Sequence, residues 1–334
     1  MTQFANSPDW LTEVFDTHLE PLAHTASGIP VWRIADDQSQ ATISAQFQAN
    51  AGEYNQRYSA SDHFEGLFRQ AFERAAVELP AVPRILDLGS GSGANSVLPC
   101  LRLFPGAEVI ATDLSGELLA ILAEHLPTID AQDRVACVVM DAMSSHVRPG
   151  AFDLVTGVAI LHHLLTPREG VRAAARALRP GGKAIFFEPF DGYGLMAIAY
   201  RHILGKASWP FRRLDKRLAD ILRGMEQDIA ARTLPDITSP NFAFMDDKWL
   251  FSQEHIAKMA EKCGFSKVEF IPHMDHSTMY RDVADVQIRL AAGSDGLKLP
   301  VWALEVLDGF DRAIPPMTKR RIMLEGTIVM TKGD

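Results

Sequence analysis

A glycine-rich turn near residue 90 constrains the fold more than any other part of the chain. It reads DLGSGSG at residues 87–93 and lies between a predicted strand, 84–88, and a predicted helix, 94–103. Glycines at a strand-to-helix turn permit a tight bend and let a ligand approach the backbone closely. Because a glycine motif alone is weak evidence, its weight depends on the elements around it.

Short apolar strands alternate with amphipathic helices from residue 84 onward. Strands are predicted at 84–88, 108–112, 135–140, 152–159, 183–187, 267–272 and 326–331, and helices at 94–103, 117–125, 167–178 and 256–263. Such alternation predicts βαβ units, in which helices cover both faces of a largely parallel sheet. The expected fold class is therefore α/β.

The segments outside this alternation are predicted to be helical. They include an N-terminal extension, with a helix over 62–77 that Pro80 and Pro83 end. The expected domains are a helical extension at 1–80, a cofactor-binding core at 81–189, a helical substrate-cap insertion at 190–250, and a C-terminal part at 251–334 that completes the sheet and holds a second helical insertion at about 276–321.

Three acidic residues lie at predicted strand ends beside the glycine turn. Asp113 follows Gly93 by twenty residues, where a carboxylate can accept both hydroxyls of a ribose. Asp141 ends the next strand, within expected reach of an adenine amino group. Asp87 within the turn disfavours a pyrophosphate and suits a ligand with an ammonium and a sulfonium. Asp87 can also hold the loop by accepting hydrogen bonds from backbone amides, and the two roles can coexist.

Together these motifs resemble the class I S-adenosylmethionine-dependent methyltransferases, in the branch that acts on small molecules. The resemblance is carried by ILDLGSGSG at 85–93, ATDLS at 111–115, VVMDAM at 138–143, FDLVTGVAILHHL at 152–164 and LRPGGKAIFFEP at 178–189. It covers about residues 84–189, with a weaker similarity at 250–272 and 326–332. It implies a Rossmann-like, doubly wound sheet of seven strands whose last strand is antiparallel, with S-adenosyl-L-methionine as cofactor.

The resemblance also implies which residues bind the cofactor. The glycines would hold its methionine part, Asp113 its ribose, and Asp141 with Ala142 its adenine, while Val158 would face it. The expected set is Asp87, Gly89, Gly91, Gly93, Asp113, Leu114, Asp141, Ala142, Val158 and Tyr58. Tyr58 belongs to the N-terminal segment, which folds over the cofactor in related enzymes; a half-buried helix residue is the alternative interpretation.

The candidate catalytic residues follow two predicted strand ends. His162 and His163 come after the fourth strand, where a histidine can serve as the base for a hydroxyl or an amine. Glu188 ends the fifth strand and can orient or deprotonate a substrate. For all three, packing and hydrogen bonding within the turn is the alternative interpretation. No metal site is expected, because adjacent histidines diverge on a helix and do not form an i, i+4 pair.

Composition limits the partners and the compartment. The net charge of -9 disfavours a nucleic-acid partner and adhesion to anionic membranes, and no apolar stretch approaches the ~18 residues of a membrane span. One basic cluster, at Arg212, Arg213, Lys216 and Arg217 near Trp209, is either a solvated face or a contact for an acidic substrate group. Three scattered cysteines, and an N-terminus without signal-peptide features, favour a cytoplasmic location.

The expected function is methyl transfer from S-adenosyl-L-methionine to a small molecule by in-line displacement, with oxygen favoured as the acceptor atom. The alternatives are a C-methyltransferase of a quinone-like or prenyl substrate, and a cofactor-binding partner protein without transfer activity. Asp87 argues against an NAD-dependent reductase. The sequence specifies neither the acceptor, nor the general base, nor the pathway, nor the oligomeric state.

Overall fold

A computed structural model describes residues 10–35, 61–144, 146–209, 211–293 and 296–334. The chain divides into two compact units. Unit 1 takes Met1–Glu188, Ala257–Ile271 and Thr327–Asp334, and unit 2 takes Pro189–Ile256 and Pro272–Gly326. Both predicted helical insertions, 190–250 and 276–321, fall within unit 2.

The described residues form one nine-stranded sheet. Its strands are β1 (Leu19–His24), β2 (Pro30–Ile34), β3 (Arg84–Leu88), β4 (Glu108–Asp113), β5 (Val135–Val139), β6 (Phe152–Val158), β7 (Leu178–Pro189), β8 (Phe265–Pro272) and β9 (Glu325–Lys332). They lie in the order β1-β2-β5-β4-β3-β6-β7-β9-β8. From β5 to β8 this is a doubly wound sheet, so the predicted α/β class is confirmed.

The direction of the strands also follows the prediction. Neighbouring strands from β2 to β7 pair in parallel. The last strand, β9, runs the other way. The amide of His273 donates to the carbonyl of Glu325 at 3.1 Å, and the amide of Gly333 donates to the carbonyl of Gly264 at 3.1 Å. Since the later residue of β8 meets the earlier residue of β9, the two strands are antiparallel.

The two strands β1 and β2 correct the prediction of seven strands and of a wholly helical N-terminal extension. They form an antiparallel hairpin, and β2 adds to the sheet by pairing in parallel with β5. Their prolines obscured this in the sequence. Pro21 lies on the edge strand and Pro30 is the first residue of β2, and these are the positions where a strand tolerates a proline. Val31, Trp32 and Ile34 of β2 are buried in the core, whereas Arg33 is exposed.

The helices of the described residues connect strands of the sheet and make up most of unit 2. They are α1 (Leu11–Val14), α2 (Ser61–Arg74), α3 (Val97–Leu103), α4 (Gly116–His125), α5 (Pro167–Ala177), α6 (Tyr193–Lys206), α7 (Lys216–Thr233), α8 (Gln253–Lys262), α9 (Met279–Ala292), α10 (Val301–Ala313) and α11 (Pro316–Arg321). In the part of the chain that the structure describes, no helix is long and apolar enough to cross a bilayer.

The proline in α3 explains where that helix begins. The sequence predicts a helix from residue 94, with Pro99 in its interior, whereas α3 begins at Val97. Pro99 thus lies in the first turn. A proline is tolerated there, because the amide it lacks would have no partner within the helix. The helix that forms is therefore shorter than predicted, with 7 residues, and begins after the glycine turn.

Unit 2 has one core of its own. Helices α6, α7, α9 and α10 enclose buried side chains such as Met196, Met279 and Leu307. The hydroxyl of Tyr200 in α6 donates to the side chain of Gln287 in α9 at 2.7 Å. The two insertions predicted as separate segments therefore share a single hydrophobic core.

Candidate active site

The carboxyl ends of the central strands identify the candidate site. Strand β3 lies between β4 and β6, and the chain moves outward from it in opposite directions. Such a switch point leaves a crevice beyond the strand ends, where ligands of doubly wound sheets bind. The glycine turn follows β3, Asp113 ends β4, Asp141 follows β5 and Val158 ends β6. The sheet thus brings these predicted residues to one edge of unit 1.

The three positions of the turn require glycine for different structural reasons. Gly89, Gly91 and Gly93 all have positive φ, of 69°, 53° and 73°. A Cβ atom on Gly89 would lie 2.6 Å from Cδ1 of Ile160, and one on Gly93 would lie 2.7 Å from Cδ1 of Leu122. At Gly91 the nearest side-chain atom would be 4.0 Å away. Packing therefore requires the first and third glycines, whereas Gly91 borders open space.

Asp113 joins the end of β4 to the glycine turn. Its Oδ2 accepts a hydrogen bond from the amide of Gly91 at 2.9 Å, and its Oδ1 accepts one from the amide of Ser115 at 2.8 Å. Burial raises the pKa of this carboxyl, while its hydrogen bonds from backbone amides lower it. Since a carboxylate has about four acceptor positions, the two amides leave capacity for further hydroxyl groups.

Asp87 is buried beneath the turn with 1% of its surface exposed. Its Oδ2 accepts a hydrogen bond from the hydroxyl of Ser96, and its Oδ1 accepts one from the hydroxyl of Thr156, both at 2.6 Å. Burial raises its pKa to about 6, against the opposing effect of hydroxyl hydrogen bonds. Hydroxyl groups, rather than the backbone amides considered from the sequence, are its partners.

Sequence reasoning missed Ser96 and Thr156. A signal for Thr156 was present, since it is a polar residue within an apolar strand and pairs in register with Asp87. Ser96 precedes α3, yet its hydroxyl makes no hydrogen bond to that helix. Its bond to Asp87 explains why.

The other predicted cofactor residues lie along the same edge. Asp141 is half-buried, and its Oδ1 accepts a hydrogen bond from the amide of Met143 at 2.8 Å. Ala142 is buried, Leu114 is half-buried, and Val158 packs partly against the core of unit 1. Tyr58 lies outside the described residues.

Glu188 holds the turn that follows β6. It is 2% exposed, and its Oε1 accepts hydrogen bonds from the amides of Ile160 at 3.1 Å and Leu161 at 2.7 Å. Its Oε2 lies 3.3 Å from the amide of His162 and 2.6 Å from Nδ1 of the same residue. A charged acceptor makes strong hydrogen bonds of this kind. The contacts of Glu188 therefore fix the short 3-10 helix Leu161–His163.

The two histidines differ in their surroundings. His162 is buried and bonded to Glu188, whereas His163 is half-buried, and the ring centroids are 4.1 Å apart. Because an ionised carboxylate only accepts, Nδ1 of His162 is the donor, and a neutral ring then carries its lone pair on Nε2. The preceding Ala159 has a φ of 55°, a left-handed conformation that costs a non-glycine residue energy. Nothing in the sequence signalled this strain.

Comparison with known proteins identifies the domain. A family model described as a methyltransferase domain matches residues 86–186, which contain the glycine turn and the turn after β6. This part of the chain belongs to the class I S-adenosylmethionine-dependent methyltransferases. The predicted family is therefore confirmed, and so is S-adenosyl-L-methionine as the cofactor of the methyltransferase domain.

Curated relatives are similar over the same domain. A ubiquinone biosynthesis O-methyltransferase of Idiomarina loihiensis is 32% identical over 126 residues, which cover 36% of this chain and 50% of the relative. A demethylmenaquinone methyltransferase of Clavibacter sepedonicus is 32% identical over 147 residues, covering 44% and 57%. A 27-O-demethylrifamycin SV methyltransferase of Amycolatopsis mediterranei is 33% identical over 115 residues, covering 33% and 41%. The chain thus spans about half the length of such relatives.

A solved structure shares the fold. A chain from the Haloferax volcanii complex of the Trm112 methyltransferase activator with a methyltransferase aligns with a TM-score of 0.51. The alignment covers 88% of this chain and 100% of that chain, at 14% identity. At this identity the similarity concerns the fold alone.

The geometry of the methyltransferase domain fits its cofactor. Gly91 borders open space in which a ligand can approach the backbone. Asp113, at the end of β4, has acceptor capacity of the kind that ribose hydroxyls require. Asp87 and Asp113 also place negative charge beside the turn, which suits a ligand carrying an ammonium and a sulfonium.

Proposed function

We propose that the chain transfers a methyl group from S-adenosyl-L-methionine to a hydroxyl oxygen of a small molecule. The observation that carries this proposal is the 2.6 Å hydrogen bond between Nδ1 of His162 and Glu188 in the turn after β6. A histidine oriented by a carboxylate is the arrangement in which imidazole accepts a proton. A hydroxyl acceptor needs such a base, because its oxygen must lose a proton when the methyl group arrives.

The role of the proposed cofactor residues is to bind S-adenosyl-L-methionine and to orient it. When bound, the cofactor supplies a methyl group already activated on a sulfonium. Asp113 would accept hydrogen bonds from the ribose hydroxyls, Asp141 with Ala142 would contact the adenine, and the backbone of Gly91 would lie beside the methionine part. Holding the two reactants in line lowers the barrier without any chemistry by the protein, and effective molarities of ~10^5–10^8 M are attainable in this way.

His162 is the proposed base, and Glu188 is a positioning residue. Nε2 of His162 takes the hydroxyl proton, and the carboxylate of Glu188 stabilises the imidazolium that results. General base catalysis of this kind contributes about 10^2–10^4-fold. The ring of His163, whose centroid lies 4.1 Å from that of His162 at a tilt of 39°, contributes packing to the turn in this proposal.

A second candidate is methyl transfer to a carbon atom of a quinone-like or prenyl acceptor. The similarity to a demethylmenaquinone methyltransferase favours it, since that relative matches the longest stretch of the three described above. The third possibility, a protein that binds the cofactor without transferring its methyl group, shares the same cofactor residues. Turnover separates it from the other two.

The test uses the full chain with S-adenosyl-L-methionine labelled in the methyl carbon. Phenols, hydroxylated quinols and aliphatic alcohols would be offered as acceptors, and the product analysed by carbon NMR. The proposal expects the label as an O-methyl signal, and a large loss of turnover in His162→Ala. A C-methyl signal would instead support the second candidate, and cofactor binding without turnover on any acceptor would support the third.

A further inference from the structure

Two aromatic side chains project from the connection between α6 and α7 in unit 2. Trp209 is 62% exposed, and Phe211 is fully exposed with a positive φ of 70°. Large aromatic side chains usually bury most of their surface, because removing apolar surface from water is favourable. Trp209 and Phe211, two residues apart in sequence, therefore form an exposed apolar tip on unit 2.

The same connection is strongly basic. Residues 206–217 contain five cations and one carboxylate, in a chain whose net charge is -9. That carboxylate, Asp215, already accepts a hydrogen bond from the amide of Leu218 at the start of α7. Arg213 and Lys216 are exposed. The positive charge is therefore local, and it lies beside the aromatic tip.

Contacts within unit 2 join this connection to a second segment. The guanidinium of Arg212 lies 5.5 Å from the ring centroid of Trp209 and 6.0 Å from that of Trp302 in α10. Arg217 donates a hydrogen bond to the carbonyl of Ala292, the last residue of α9, at 2.7 Å. Because these contacts hold the start of α10 beside the connection, the exposed residues there belong to the same surface. The resulting basic aromatic surface consists of Trp209, Phe211, Arg212, Arg213, Lys216, Arg217, Lys298 and Val301.

We propose that the basic aromatic surface docks on an anionic lipid bilayer. Aromatic side chains flanked by Lys and Arg are what an interfacial membrane contact requires, because the rings enter the headgroup region while the cations pair with lipid phosphates. Each basic residue near an anionic membrane contributes about 1 kcal/mol. The docking is peripheral and involves no membrane span.

The net charge of -9 by itself disfavours adhesion to an anionic membrane, but the cations of the basic aromatic surface act locally. Charges separated by more than a Debye length, about 8–10 Å, are largely screened from one another. A local group of cations can therefore meet anionic lipid headgroups although the whole chain is acidic. The exposed apolar side chains of Phe211 and Val301 beside the cations favour a bilayer over a nucleic acid, because they can enter the headgroup region.

The experiment measures binding of the full chain to vesicles by flotation. Vesicles of phosphatidylcholine with phosphatidylglycerol are compared with vesicles of phosphatidylcholine alone, at low and high salt. We expect binding to the anionic vesicles only, weakened by salt. The variant Arg213→Gln/Lys216→Gln should bind about 30-fold more weakly, at roughly fivefold for each cation. The variant Trp209→Ala/Phe211→Ala should lose at least about tenfold.

The control variants remove cations or an exposed aromatic side chain at positions outside the basic aromatic surface. Lys262→Gln/Arg321→Gln makes the same charge change, and Phe244→Ala removes another exposed aromatic side chain; both should bind like the unaltered protein. Circular dichroism and thermal unfolding verify that every variant is folded. Equal binding to both kinds of vesicle, or surface variants that bind like the controls, would overturn the proposal. So would binding of a single-stranded oligonucleotide that depends on Arg213 and Lys216 while the vesicles remain unbound.

Discussion

The carboxylate of Glu188 accepts a hydrogen bond from Nδ1 of His162 at 2.6 Å and also binds the backbone amides of the same turn. One side chain at the end of β7 thus determines both the path of the turn and the orientation of the ring. This separates two residues that the sequence treated alike as candidate bases. In the mechanism that we propose, His162 moves a proton and Glu188 positions its ring.

Removal of the His162 ring should lower turnover far more than it lowers cofactor affinity. In His162→Ala we expect kcat to fall about 10^2–10^4-fold, the usual contribution of a general base. The dissociation constant of S-adenosyl-L-methionine should stay within a few-fold. The matched variant is His163→Ala, which should retain most of the activity. If His163→Ala loses more activity than His162→Ala, the assignment of the base is wrong.

Glu188→Gln should destabilise the fold and also impair turnover. The amide group of glutamine offers one acceptor oxygen in place of two, so some of the amides that Glu188 binds lose their partner. Each buried group left without a partner costs about 1–3 kcal/mol. Chemical denaturation measures this loss, with Glu73→Gln at an exposed position of α2 as the control. A free energy of unfolding equal to that of the control would contradict the positioning role.

Gly91→Ala and Gly89→Ala should differ in what they damage. Both force an alanine into a positive φ, at a cost of roughly 1–2 kcal/mol. Only Gly89→Ala adds a collision, with Ile160 at 2.6 Å, so its melting temperature should fall further. Gly91→Ala places its methyl group in the proposed cofactor space, so its affinity for S-adenosyl-L-methionine should fall at a milder loss of stability. Thermal unfolding and calorimetry on both variants test this contrast.

Cofactor affinity should rise with pH as Asp87 ionises. Burial raises the pKa of Asp87 from 3.8 to about 6, so below that pH the carboxyl is neutral in the folded protein. Above it, the carboxylate attracts the cationic groups of S-adenosyl-L-methionine. Calorimetric titrations across this range should show the affinity rising through about pH 6 and then levelling off. Asp87→Asn should bind with little change over the same range.

The same pKa shift has the opposite effect on stability, which should fall as pH rises. Between pH 3.8 and about 6, Asp87 is protonated in the folded protein but ionised in the unfolded chain. The folded state then holds more protons, so the free energy of unfolding without cofactor should fall as pH rises, by roughly 3 kcal/mol from this residue. Asp87→Asn should lack this decline, and an unchanged decline in the variant would assign it to other groups.

The sequence predicted the strands of the sheet well where apolar runs lie between clear turns. The predicted strand 84–88 has the bounds of β3, because glycines follow it and prolines precede it. The hairpin of β1 and β2 was missed, since Pro21 lies within β1, Pro30 begins β2, and prolines are depleted in strands. A proline is tolerated on an edge strand or as the first residue of a strand, and a local sequence pattern does not show which strand will lie at the edge.

The places of the candidate residues in the fold were easier to predict from the sequence than their contacts. Asp113 and the glycines follow from strand ends and turns, which are local features of sequence. The partners of Asp87 come from β6 and from the start of α3, and the partners of Glu188 come from the turn after β6. These contacts join segments far apart in the chain, so a reading by local periodicity could not assign them.

The most direct test of the central claim is a calorimetric titration of the full chain with S-adenosyl-L-methionine, S-adenosylhomocysteine and NADH. We expect binding of the first two in the micromolar range, no binding of NADH, and much weaker binding of both S-adenosyl compounds in Asp113→Ala. Binding of NADH alone, or cofactor affinity that Asp113→Ala leaves unchanged, would contradict it.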